Sequence, residues 1–540
     1  MAKKTLIFVI FIFCLIAQVL PVIKSGTNIG TGIGFWGPNG HDGVWHLALI
    51  NHINNPFSID MPIFSGEKLK NYHPFFDIFI AYIAKITTIP PSLLLFQVFP
   101  ILSTIIYLLF SYKIGKFITK SDKGGLILML LNTVNNSFGW IINYIRNNNF
   151  EGESLFWAMQ SPSNQLNPPF ALSLALLLIL IYILLSNPKR LSKTNLLYIS
   201  LILIFLPIIK AYSAIPAYII LSTYLLKNKH HFKILIVSLI LSIILFLQFN
   251  KNSSSLLIWQ PFWFVRSLFE STDKFYFPRF AALAHTNGLK PIIFYLIGIP
   301  IFLIGNFAFR LLSSKILFTR SWFYTSLLTS VVVLTIIPLF FIQSGTSWNT
   351  IQFLYYAIYL LNIPLAYYLS KANTFIAVLI VTVQLLPLFA SFPQYLGKVP
   401  PSYISFQELS CLYFLKNQTK SIILTYPYDQ YIIDKTISPV PIYAYTTTSY
   451  VSAFTNQFTY LEDEMNLANS GYDWQIRRKS SEKFFLQENI FQDRGFLLNN
   501  KIDYIYLTGA QINKTKLNLD QLFLINVYQN ISCQIYKVIK

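Results

Sequence analysis

The stretch TLIFVIFIFCLIAQVLPVI, residues 5–23, carries no charge and follows a short basic segment containing Lys3 and Lys4. A helix rises about 1.5 Å per residue, so a run of this length can cross the hydrocarbon core of a bilayer. A cleaved signal peptide is the competing reading. The run is long for that, and no small-x-small cleavage pattern closes it, so it reads as a retained first span entering from the cytoplasm. Ten more apolar runs follow, at 91–110, 125–145, 170–185, 195–209, 211–226, 234–249, 291–309, 321–342, 351–369 and 375–392. Several fall short of the roughly 20 residues a span needs, so the count of about eleven carries a margin of two.

Composition agrees. Of the 540 residues, 54% are hydrophobic and 11% charged, whereas a soluble domain has about 25% charged residues. This excludes a single soluble globule and also a disordered chain. The net charge of +20 is uneven: 27 basic and 9 acidic residues precede residue 391, against 14 and 12 from there onward. Topology accounts for that asymmetry without a nucleic-acid partner. Loops placed inside (1–4, 113–123, 187–193, 227–233, 310–320 and 370–374) hold 16 basic residues in 45 positions, and the outside loops 11 in 141, as the positive-inside rule requires. An odd number of spans puts the N-terminus in the cytoplasm and the C-terminal segment outside. The long loops, 24–90, 146–169 and 250–290, also fall outside, and loops of that length in a compact protein are usually functional.

Residues 393–540 read as a small α/β domain. Helix is expected at 406–416 and across the charged stretch 461–487. Strands are expected at 421–426, 441–447, 502–507, 522–528 and 532–539. The three cysteines form no zinc spacing; a Cys411–Cys533 bridge is open to the chain. Sequons at Asn252, Asn417, Asn513 and Asn530 lie in outside segments, and a fifth, Asn135, lies in a span.

The first outside loop carries the most chemistry. Gly34-Phe-Trp-Gly-Pro-Asn-Gly-His41-Asp42-Gly-Val-Trp45-His46 is a Gly/Pro turn that delivers His41 and Asp42 to the start of a helix over 44–53. Asp42 stands at an N-cap position, and His46, four residues on, shares its face. The loop resumes with Tyr72-His73-Pro74-Phe-Phe-Asp77, which opens an amphipathic helix over 75–86, suited to the membrane surface. Read alone, Asp42 is a cap and the histidines and Asp77 are solvated interfacial groups. His41, Asp42 and His46 could also hold a divalent metal.

With these motifs the chain resembles the membrane glycosyltransferases of the GT-C superfamily, whose members include protein O-mannosyltransferases, oligosaccharyltransferases and lipid A aminoarabinose transferases. His41-Asp42 stands where that superfamily has its first-loop acidic motif, and Tyr72-His73-Pro74 resembles a segment of its bacterial members. Many members have two adjacent acids there. Asp42 lies instead between His41 and Gly43, so paired-acid metal binding is not matched residue for residue. The resemblance implies a sugar donor on a polyprenyl phosphate and inversion at the anomeric carbon.

Those requirements can be assigned. The attacking hydroxyl needs a carboxylate base, and Asp42 is the choice. The departing phosphate needs fixed cations: Lys210, set between two apolar runs where a charge is costly, and Arg279, with His73 assisting. Their bland readings are a snorkelling Lys and an interfacial Arg. Trp348, Asn349 and Gln352 lead into the tenth run and, with His41 and His46, suit a sugar cavity. In the C-terminal segment, Glu462-Asp463-Glu464 reads as a solvated helix start; with Tyr472-Asp473-Trp474 and Arg477-Arg478 it would otherwise form an acceptor surface. No Gly-rich phosphate loop or dinucleotide fingerprint is present, in keeping with a lipid-linked donor.

The sequence thus predicts a predominantly α, polytopic GT-C-like membrane protein: a transferase domain over 1–392 and an extracytoplasmic α/β domain over 393–540. Its partners would be the lipid-linked donor, a glycan, lipid or protein acceptor and membrane lipids. No cofactor is required beyond that candidate metal. Three rivals stand: a flippase for lipid-linked glycans, which predicts charged spans and inverted repeats; an envelope polymerase or ligase of another helical fold; and a non-catalytic scaffold.

Overall fold

The computed structural model describes residues 2–134, 136–152, 154–157, 161–228, 232–250, 256–319, 321–435, 438–486 and 490–539. Asn135 and Asn252, two of the sequons, lie outside the described residues. The chain forms two compact units, one of Met1–Pro21 with Phe99–Leu396, the other of Val22–Val98 with Gly397–Lys540. The division is therefore not the linear one expected at residue 392, because the segment Val22–Val98 folds with the C-terminal segment.

In the first unit the apolar runs lie on helix for most of their length, with a break at 136–138 and a turn into the short strand Phe341–Gln343. Within hydrocarbon each peptide group must bond internally, and a helix does this within one segment. Among the described residues eight helices are long and apolar enough to cross a membrane, and Asp122–Val134 with Gly139–Asn147 makes a ninth if read as one broken span. The runs at 195–209 and 211–226 form Lys193–Ile209 and Ala211–Lys227, 17 residues each. This is a polytopic helical membrane protein. The helix Gln352–Lys371 is central, with buried residues on all sides. Phe232–Phe249 is peripheral and exposes Ile236, Val237, Ile240 and Ile244, a surface for lipid. Phe99–Thr119 and Asp122–Val134 form a tight hairpin whose close approach needs glycine: a Cβ on Gly115 would sit 2.4 Å from the Gly124 carbonyl oxygen.

Buried polar side chains bond one another in a chain inside this unit. Arg310, expected in a cytoplasmic loop, is 1% exposed. Its Nε donates to Asn362 Oδ1 at 2.8 Å and its Nη1 to the Asn136 carbonyl at 3.0 Å. Asn362 donates in turn to Asn132 Oδ1, and Asn132 to Ser111 Oγ. The partner that draws Arg310 inward lies 52 residues away, which is why its basic neighbourhood suggested a loop.

The second unit holds two sheets. In the four-stranded sheet the order is Thr27–Asn28, Gly32–Phe35, Ser402–Ser405, Val440–Pro441; Gly32 pairs antiparallel with Ser405. In the five-stranded sheet the order is Leu524–Gln529, Cys533–Val538, Tyr504–Thr508, Ile422–Thr425, Phe458–Thr459. Tyr504–Thr508 is buried along its whole length. The helix Phe406–Lys416 is tied to this sheet by the Cys411–Cys533 disulfide. The expected strand at 441–447 is instead the short helix Ile442–Tyr445 after a two-residue strand. The charged stretch 461–487 is two helices, Glu464–Asn469 and Gln475–Leu486, separated at Gly471 with φ +71°.

Replacing Arg310 by Met should lower the melting temperature of the detergent-solubilised protein by the equivalent of about 2–3 kcal/mol, the scale of lost hydrogen bonds from a charged donor. Lys315→Met, at an exposed position nearby, should leave it unchanged. Equal melting of the two variants would remove Arg310 from the core network.

Candidate functional site

The helix Asp42–His52 is the backbone of the site. It packs on Tyr450–Thr455 of the C-terminal segment, with Asn51 Nδ2 donating to the Ala453 carbonyl at 2.8 Å. The turn before it is pinned from the same side: Thr448 Oγ1 donates to the Gly40 carbonyl at 2.9 Å and Tyr445 OH to the Gly37 carbonyl at 3.3 Å. Gly43 allows close packing here, since a Cβ would meet the Phe96 ring at 2.5 Å.

Asp42 is not a cap. It is the first helical residue, and the N-cap position belongs to His41, which makes no side-chain cap bond. His41 instead spans two carboxylates. Its Nδ1 lies 2.7 Å from Asp42 Oδ1 and its Nε2 3.1 Å from Asp463 Oδ1. With an acceptor at each nitrogen the ring is a double donor, an imidazolium. Burial works against the charge, but the Asp463 and Asp42 carboxylates outweigh it and hold the ring well above its ordinary value of 6.5. The side chain of Asp463 is fully buried, that of His41 10% exposed and that of Asp42 48% exposed. Asp42 is thus a solvent-facing carboxylate gripped through one oxygen from inside the unit, and among the described residues its Oδ2 has no hydrogen-bond partner.

Asp463 was expected in a solvated helix start. It adopts a left-handed backbone, φ +47°, and caps Glu464–Asn469 by accepting from the Asn466 amide at 3.2 Å. Asn466 Nδ2 also donates to its Oδ2 at 2.8 Å. Glu462 is likewise buried, accepting from the Val451 and Ser452 amides at 3.0 Å each; burial pushes its carboxyl up to about 8. The signal available in the sequence was the setting of this acidic triplet among Phe458, Tyr460, Leu461 and Met465.

His46 belongs to a second pair. Its Nδ1 lies 2.6 Å from Asp77 Oδ1, and both side chains are buried. Asp77 was expected in solvent, but it lies on the inward stripe of Phe75–Thr87 with Phe76, Ile80 and Ala81. Trp45 Nε1 donates to Tyr72 OH at 3.2 Å, and Tyr72 stacks on His73 at 5.0 Å. His41, Asp42 and His46 are therefore not brought together as one ligand set. Both His41 nitrogens face carboxylates, so that ring has no lone pair to offer an ion, and His46 pairs with a different acid, Asp77. Among the described residues no three His, Cys, Asp or Glu side chains are placed to hold a metal.

The remaining candidates lie in the helical unit. Lys210 is 3% exposed at the junction of Lys193–Ile209 and Ala211–Lys227, with its Nζ 5.3 Å from the centre of the Tyr212 ring. Tyr212 meets Phe353 edge-on at 4.5 Å, so the helix starts that carry Lys210 and Gln352 are in contact. Gln352 Nε2 bonds Asn349 Oδ1, and Asn349 Nδ2 donates to Gln343 Oε1 at 2.7 Å. Trp348 is 48% exposed. Arg279 is exposed on the short helix Pro278–Ala281.

No protein-family model and no curated protein matches the sequence. Solved structures do. The chain is similar to the mycobacterial arabinofuranosyltransferase AftD at 10% identity and a TM-score of 0.52, over 99% of this chain and 40% of that one. It is also similar to the oligosaccharyltransferase AglB of Archaeoglobus fulgidus. The AglB structure with a tethered acceptor peptide gives 11% identity and a TM-score of 0.49, over 94% of this chain and 69% of that one. The AglB structure with an inhibitory peptide and a dolichol-phosphate gives 10% and 0.47, over 94% and 70%. The one with Zn and sulfate gives 12% and 0.47, over 94% and 70%. Both neighbours are glycosyltransferases of the GT-C class.

The His41 pair carries a pH signature. A ring whose folded-state pKa is raised contributes stability that is complete below its ordinary value near 6.5 and is lost as pH rises through the higher folded value. His41→Leu strands the Asp463 carboxylate in the interior and should cost about 3–5 kcal/mol in acid to neutral solution. The gap from wild type should narrow as the medium becomes alkaline, measured as melting temperature from about pH 5 to pH 9. A gap independent of pH would show that the wild-type ring is neutral.

Proposed function

We propose that this chain, a polytopic protein of GT-C-like fold, is an inverting glycosyltransferase. It would move a sugar from a polyprenyl-phosphate donor to an envelope acceptor on the extracytoplasmic face of the cell membrane, with its N-terminus in the cytoplasm. The observation that carries the reading is the half-exposed Asp42 carboxylate, held in one orientation by a buried His41 that is itself anchored on Asp463. A general base has to be positioned first and tuned second, and this arrangement fixes position through a ring that cannot swing into solvent.

The chemistry balances as follows. The acceptor hydroxyl oxygen attacks the anomeric carbon from the face opposite the phosphate, and its proton passes to the open Oδ2 of Asp42. The bond from that carbon to the phosphate oxygen breaks, and its electron pair leaves with the lipid phosphate. Lys210 and Arg279, with His73, are the proposed phosphate-binding residues; Lys210 is favoured because a buried ammonium retains strength that a solvated one loses. Trp348, Asn349 and Gln352 are the proposed sugar contacts in the helical unit. No step is routed through a metal.

Asp42→Asn keeps the size and the contact with His41 but removes the base. In reconstituted membranes supplied with a lipid-linked sugar donor, turnover should fall by about 10²-fold or more, the usual contribution of such a group, with melting little changed. Near-normal turnover by a folded Asn variant would exclude Asp42 from the reaction.

A further inference from the structure

A cleft of about 420 Å³ opens in the sheet-containing unit between the loop that follows strand Ile422–Thr425 and the helices Glu464–Asn469 and Gln475–Leu486. A smaller cavity of about 40 Å³ adjoins it, shares Tyr426, Pro427, Tyr428 and Glu464 with it, and is lined also by Asp463. The cleft therefore leads toward the carboxylate that anchors His41.

Its walls have a distinct chemistry. Tyr426, Tyr428, Tyr431 and Trp474 present aromatic rings, flat apolar surfaces with polar edges. Two of the rings are held by side-chain contacts: Tyr426 packs on Phe485 at 5.3 Å and Tyr428 OH accepts from Lys435 Nζ at 2.8 Å, while the backbone amide of Tyr431 donates to Asp429 Oδ1 at 2.8 Å. Polar groups lie between the rings. Arg478 is clamped by Glu464 at 2.7 Å and by Glu482 at 2.6 Å. Trp474 lines the cleft through its ring, while its indole N–H is buried and has no hydrogen-bond partner among the described residues.

We infer that this cleft binds a neutral glycan chain. Pyranose rings offer C–H faces to aromatic side chains and hydroxyls to in-plane donors and acceptors, and the cleft supplies both. Asp429, Glu464 and Glu482 are set against one guanidinium, Arg478, so an anionic ligand such as a uronate or a phosphate is repelled. Calling this glycan the acceptor rests on the transferase reading above; the binding chemistry does not.

The test is calorimetric titration of the full-length protein in detergent with neutral tetrasaccharides of mannose, galactose and glucose, with no donor present. Tetragalacturonate and a sequon-containing nonapeptide serve as counter-probes. At least one neutral tetrasaccharide should bind saturably. Trp474→Ala should weaken it by about tenfold and Trp474→Phe, which keeps an aromatic face of smaller area, by about threefold. Tyr431→Ala should weaken it too, and because Tyr431 is 80% exposed its loss leaves the core intact.

The assignment is overturned by absence of neutral-glycan binding up to about 10 mM, by binding that ignores the Trp474 and Tyr431 variants, or by preference for the uronate or the peptide. Loss of glycan binding beside retained Asp42-dependent turnover removes the cleft alone. Glycan binding without Asp42-dependent turnover keeps the cleft and ends the transferase reading.

Discussion

One imidazolium between two carboxylates organises the sheet-containing unit. His41 and Asp463 lie 422 positions apart in the chain, so the bond forms only when the early loop has folded onto the late segment. Buried charge pairs contribute little net stability, because desolvation offsets much of their attraction. What they contribute is uniqueness of arrangement. The ring has to lie with one nitrogen toward Asp42 and the other toward Asp463, and the turn at Gly37–Gly40 leads straight into that position. The solvent-facing oxygen of Asp42 inherits that rigidity.

The parts of the fold that were legible in the sequence are those a single physical demand imposes locally. Hydrocarbon requires apolar helix, and the apolar runs lie on helix for most of their length, the run 125–145 being split between Asp122–Val134 and Gly139–Asn147. The amphipathic stretch after His73-Pro74 is the helix Phe75–Thr87, and the helix expected at 406–416 is Phe406–Lys416. Failures came where a distant partner decides. Gly32–Phe35 is too short and too rich in glycine to announce a strand, yet Ser402–Ser405 makes it one. Arg310 shares a stretch with Lys315 and reads as loop until Asn362 is beside it.

The candidate site was half legible for the same reason. Asp42 and His41 stand out because a Gly/Pro turn presents them. Asp77 and Asp463 do not, because a charged residue is ordinarily assigned to solvent. The inward stripe of Phe75–Thr87 was a usable warning: Asp77 falls on it with Ile80 and Ala81, and an acid on an apolar stripe implies a buried partner. His46 is that partner. The two histidines are five residues apart, yet they face different acids.

Asp463 joins the anchoring pair to the neighbouring cleft. A non-glycine residue at φ +47° is a sparsely populated conformation, kept only where its surroundings hold it. Here the holding contacts are the Asn466 amide and side chain on one side and His41 on the other. The next residue, Glu464, turns into the cleft and grips Arg478, while its own amide donates to Thr447. A ligand that competes for Arg478 or Glu464 therefore acts one peptide bond away from the carboxylate that orients His41. The residue that anchors His41 and the residue that grips Arg478 are thus joined by a single peptide bond, and the first of them is held from both sides.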